Sequence, residues 1–127
     1  MPSKALIDRM CCALGQVDLQ AHRHGKLSEV QKQYYLRALA EIIDAPLYID
    51  DQPGQTAALI EAKAARLQAS AGLDLVVVDY LGLMAAERKG MENREQVVAG
   101  ISRAMKGMEK RLDVPVILLS QLIPRTL

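Results

Sequence analysis

Two apolar runs in this chain each end in a polar side chain with a use for that position. Leu75-Val76-Val77-Val78 leads into Asp79, and Val114-Pro115-Val116-Ile117-Leu118-Leu119 leads into Ser120-Gln121. A short, unbroken aliphatic run is the pattern of a strand buried on both faces, as in a parallel sheet. Ligands of open α/β folds bind just outside the carboxyl ends of such strands. An acid there can hold a magnesium-bound water beside a nucleotide's phosphates. A glutamine ending the neighbouring strand can hydrogen-bond a terminal phosphate or an attacking water, with Ser120 as its polar neighbour. Taken singly, each residue has a plainer reading. Strand-terminal aspartates commonly start loops, and a polar strand end is commonly just solvated.

The elements around these two ends decide how they are placed. Between the runs, residues 94–112 have helical periodicity, with Val97, Ile101, Met105, Met108 and Leu112 inward and Arg103, Lys106, Lys110 and Arg111 mostly outward. A helix of that length suits a right-handed crossover between parallel strands. Residues 85–93 (AAERKGMEN) are polar and charged and contain Gly90, which reads as an exposed loop. Upstream, residues 3–14 present Leu6, Ile7, Met10 and Leu14 at helical spacing, with Gly15 as a stop. Ser28 with Gln31 fits a capping box ahead of Val30, Tyr35, Leu39, Ile42 and Ile43, and Pro46 ends that helix. Leu47-Tyr48-Ile49 predicts a short strand running into Asp50-Asp51, and Pro53-Gly54 a turn. Thr56 caps a further helix that carries Ile60, Ala64, Leu67 and Ala71 on one face and closes at Gly72. The expected class is α/β, a mostly parallel sheet flanked by helices.

Composition bounds the functions open to such a chain. Its 127 residues make one domain or a piece of one, and half are hydrophobic, which is a globular composition. The formal net charge is +1, so any basic surface must be local. With no Phe, no Trp and four Tyr, base stacking on aromatic platforms is disfavoured. Cys11 and Cys12 are adjacent and read as reduced residues in or near the core. No run approaches the roughly 20 apolar residues of a membrane span, and no signal-peptide pattern opens the chain, so a cytoplasmic location without membrane association is the expectation. His22 and His24 have no suitably spaced acids or thiols beside them and read as surface residues. Asp50 and Asp51 read as the start of a turn, and Tyr34-Tyr35 as core packing.

Together the two strand ends carry a family resemblance. Asp79-Tyr80-Leu81-Gly82-Leu83-Met84 resembles the Asp-Tyr-Leu-Gln-Leu-Met string of DnaB-type replicative helicases, their Walker B region. Asn93-Arg94, Ile101-Ser102-Arg103 and Lys106 look like the helix that follows it. Val114-Pro115-Val116 through Leu119-Ser120-Gln121-Leu122 resembles the next strand. Met1-Pro2-Ser3, Leu47-Tyr48-Ile49-Asp50-Asp51, Pro53-Gly54 and Thr56 match in the same order, so the similarity covers nearly the whole chain. A RecA-like recombinase or clock-type ATPase would share the strand-end acid but not the Tyr-Leu-x-Leu-Met string.

The resemblance implies a partial RecA-like P-loop ATPase fold. Residues 1–127 would then be a single domain and a fragment of the C-terminal ATPase domain. The parent would be a hexameric motor that hydrolyses ATP with magnesium, moves along single-stranded DNA, separates the duplex and works among replisome proteins. On matching positions, Asp79 would be the magnesium-associated acid, acting through water, and Gln121 the phosphate-sensing glutamine beside Ser120. Arg88, Lys89 and Arg94 would lie near a DNA-facing loop. Two departures stand out: Gly82 replaces the family's glutamine, and Ile123-Pro124-Arg125 replaces a polar stretch. No Gly-x-x-x-x-Gly-Lys-Ser/Thr loop occurs in these residues, nor the catalytic glutamate that in the family immediately precedes the Met-Pro pair. The alternative reading is a non-catalytic remnant or oligomerisation module with a RecA-like core, forming a dimer or swapped assembly through an unpaired sheet edge. Without a phosphate loop, the 127-residue polypeptide is expected to bind no nucleotide cofactor and to hydrolyse no ATP. Turnover in a clean preparation that disappears on Asp79→Asn overturns this.

Overall fold

The computed structural model describes residues 2–79 and 93–120. The chain divides into two compact units, residues 1–51 and 52–127.

The first unit is helical: α1 (Ser3–Gly15), α2 (Leu19–Arg23) and α3 (Glu29–Asp44). Local chemistry sets most of its boundaries. α1 begins after Pro2 with no side-chain cap from its own sequence. The Ser3 N–H instead donates to Asp51 Oδ2 at 2.8 Å, a carboxylate 48 residues away. It ends in a left-handed Gln16 (φ 54°), a conformation that a non-glycine residue adopts at some cost. Asp18 caps α2 by accepting the Ala21 N–H at 2.7 Å. The Ser28–Gln31 capping box forms in both directions at the start of α3. α3 stops at Asp44 because Ala45, preceding Pro46, is forced into an extended conformation.

Small residues bring α1 and α3 together. A Cβ on Gly15 would lie 3.0 Å from the Tyr34 carbonyl oxygen, and the buried residues here are Cys11, Cys12, Val17 and Ala38. That close approach displaces the larger aliphatics to the flanks. Leu6, Leu14, Val30 and Ile43, expected inward from their spacing, are exposed, Ile43 at 71%. The expected strand at residues 47–49 does not form. Leu47 N–H turns back onto the Ala45 carbonyl at 2.8 Å, and the segment joins no ladder among the described residues. A strand is stable only with a neighbour, and Pro46 has already committed the chain to a turn.

One carboxylate joins the three helices. Asp8 of α1 accepts the Tyr35 hydroxyl of α3 at 2.7 Å. His22 of α2 stacks on the Tyr35 ring at 4.2 Å, with its Nε2 3.6 Å from the same Asp8 oxygen. The short α2, too small to hold itself, is thereby fastened to its neighbours.

The second unit contains α4 (Ala57–Ala71), β1 (Val76–Asp79), α5 (Arg94–Leu112) and β2 (Val116–Leu119). Thr56 caps α4 through the Leu59 N–H, and Gly72 (φ 84°) releases the chain from it. β1 and β2 pair in parallel, Val76 opposite Val116 and Asp79 opposite Leu119. The core lies between this sheet and α4 and α5. Val78, Val97, Ile101, Met105, Met108, Ala57 and Ala64 are buried, with Val76, Val116, Leu118 and Leu112 packed against them. Of the expected inner face of α4, Ala64 is buried, Ile60 and Leu67 are half-buried and Ala71 is exposed. The aliphatic runs predict burial on both sheet faces. Among the described residues helices cover one, and Leu75, Val77, Ile117 and Leu119 on the other are about half exposed.

Two polar clasps add to the α4–α5 packing. Gln68 Nε2 donates to the Leu112 carbonyl at 2.7 Å, and Arg111 grips Glu61 with two parallel bonds. Gly107 makes room for the second, since a Cβ there would lie 3.0 Å from the Arg111 guanidinium.

Ile101 is 1% exposed at the centre of this core. Ile101→Ala is expected to cost roughly 2–5 kcal/mol, the range for deleting a buried branched side chain. Chemical denaturation measures it, and a loss well under the lower figure contradicts the packing described.

Candidate functional site

The parallel register makes the carboxyl ends of β1 and β2 coincide. Asp79 ends β1 opposite Leu119, so Ser120 stands one step beyond it on the next strand. Both residues are exposed at the same end of the sheet. Because side chains alternate along a strand, Asp79 shares a face with Val77 and Leu119, away from α4 and α5. Two parallel strands joined by one helix require that helix to start at their carboxyl end and run back. Arg94, the exposed first residue of α5, therefore belongs to the same end of the unit. Asn93 caps α5 by accepting the Glu95 N–H at 3.0 Å, and Glu95 places a negative charge beside the helix start. Gln121, Gly82, Arg88 and Lys89 lie outside the described residues. Of the residues singled out from the sequence, Asp79 and Ser120 thus share one end of the sheet, and Arg94 opens α5.

Where α5 borders β2 its surface is mixed in charge. Lys106 lines a shallow groove of about 360 Å³ with Ser102, Met105, Glu109, Val116 and Leu118. The groove is open, and Glu109 offsets its cation.

The other candidates take structural roles. His24 Nδ1 is 2.8 Å from the Gln20 carbonyl, and no cluster of metal-binding side chains occurs among the described residues. Burial pushes the thiols of Cys11 and Cys12 up, and both are free, as a reduced pair buried in an apolar contact should be. Burial and the adjoining Asp8 carboxylate also raise the Tyr35 phenol. The Ser3 N–H holds Asp51 below the ordinary aspartate range, and Arg111 does the same to Glu61. Neither the Asp51–Ser3 bond nor the Asp8–Tyr35–His22 contact had a local signal. The partners are 48 and 27 residues apart, and only the tertiary fold joins them.

With this geometry in place, comparison with known proteins is decisive. The DnaB-like helicase C terminal domain family matches residues 1–126 of the 127. The chain belongs to this family. It is 40% identical over 122 residues to the replicative DNA helicase DnaB of Geobacillus stearothermophilus, covering 96% of this chain and 27% of that protein. It is 38% identical over 122 residues to the replicative DNA helicase DnaC of Bacillus subtilis (strain 168), with the same two coverages. The replicative DNA helicase DnaB of Rhodothermus marinus is 49% identical over 80 residues, 62% of this chain and 8% of that protein. Among solved structures, an ATPase domain superposes with a TM-score of 0.82 at 30% identity, over 98% of this chain and 45% of that one. The fold is therefore α/β and RecA-like. The chain spans about a quarter of the length of the first two helicases. No helix among the described residues is long and apolar enough to cross a membrane.

The Asp51 bond sets an acid-side dependence. Its carboxyl is lower in the folded chain than in the unfolded one. The stabilisation is therefore complete above the ordinary aspartate range and is lost as pH falls through the lower folded value. Asp51→Asn is expected to flatten the fall of Tm across that acid window. An unchanged slope rules out this contribution.

Proposed function

We propose that this chain supplies the strand-end side of the ATP site in a replicative DNA helicase motor, in which ATP hydrolysis drives translocation on single-stranded DNA and unwinding of the duplex. The observation that carries this reading is the family match through residue 126 combined with the parallel register that ends β1 and β2 at one end of the sheet, Asp79 opposite Leu119 and Ser120 one residue beyond.

The donor set at this edge fits magnesium held through water. One exposed carboxylate cannot enclose a bare ion, but it can hydrogen-bond the waters that magnesium keeps. When bound, magnesium would supply positive charge that offsets the phosphates of ATP. Asp79, at the end of β1, would be the residue that holds the ion through its waters. On the family's motif, Ser120 and Gln121 would serve the terminal phosphate, the glutamine as its hydrogen-bonding sensor and the serine as its polar neighbour. By the family resemblance, Arg94, Arg88 and Lys89 would supply positive charge for the DNA backbone, a sequence-independent attraction suited to a translocating motor. The assembly in which this happens is a hexamer working with other replisome proteins in the cytoplasm.

The test uses the protein that carries this segment together with a phosphate loop. Asp79→Asn is expected to lower kcat for ATP hydrolysis by on the order of 10²-fold or more, with nucleotide-free DNA binding retained. Gln121→Ala should keep nucleotide binding and lose DNA-stimulated turnover and unwinding. Hydrolysis by Asp79→Asn at the parental rate refutes the site assignment.

A specific observation also favours self-association through the RecA-like core. Among the described residues β2 pairs only with β1, and the sheet leaves Leu75, Val77, Ile117 and Leu119 half exposed. Parallel sheets are ordinarily covered on both faces, and an open edge invites pairing. Sedimentation of the 127-residue polypeptide at high concentration is expected to show a dimer or larger species. A strictly monomeric result removes this second reading.

A further inference from the structure

We draw no further inference here: the strongest candidate, the shallow depression between the end of α1 and the side of α3 lined by Leu14, Tyr34, Arg37 and Glu41, carries nothing because nothing in the structure shows what covers it.

Discussion

The parallel pairing of β1 with β2 is the constraint on which the second unit depends. Parallel neighbours cannot be joined by a tight turn, so a long connection must leave one strand end and return to the start of the next. α5 is that connection, and its apolar side must be covered if the helix is to persist. The sheet and α4 supply the cover, which is why Val97, Ile101, Met105 and Met108 form the most buried row in the unit. The same arrangement leaves the two carboxyl ends side by side. Placement of the acid and the serine is thus a by-product of chain connectivity, before any ligand is considered.

The helical unit is organised on another basis. Its apolar contact is small, built on cysteines, an alanine and a valine, and much aliphatic surface stays outside. Such a core specifies little by shape alone. Directional contacts supply what packing does not: the Asp8 carboxylate fixes α3 and α2 against α1, and Asp51 closes the bare start of α1. A carboxylate serves well for this, because its two oxygens accept several bonds at once.

The difference between the units explains what could be read from the residues. The extent of α5, the Ser28–Gln31 box, the Thr56 cap and the Gly72 exit were all legible, since each rests on side chains within one or two turns of one another. The two strands were legible as aliphatic runs, shortened in the structure by one residue at the start of the first and two at the start of the second. Leu14, Val30 and Ile43 misled because helical spacing identifies a face but not the partner's approach, and Gly15 and Ala38 set that approach closer than large side chains permit. The segment at residues 47–49 misled for a related reason: β-propensity describes a residue's fit to a sheet and does not provide one. At the candidate site, residue types and order were legible, but that Asp79 ends level with Leu119, one residue short of Ser120, came only with the register.

The composition of the α5 interface has a mechanical consequence. Two of its four most buried residues are methionines, and the unit contains no phenylalanine or tryptophan to lock a contact by shape. A thioether chain has three rotatable bonds and no branch, so it follows a neighbour's displacement by changing rotamer. The surface on which α5 lies is therefore compliant along the helix axis. A small slide of the helix over the sheet can be absorbed by Met105 and Met108 without opening a void, whereas a rigid aromatic contact would resist until it broke.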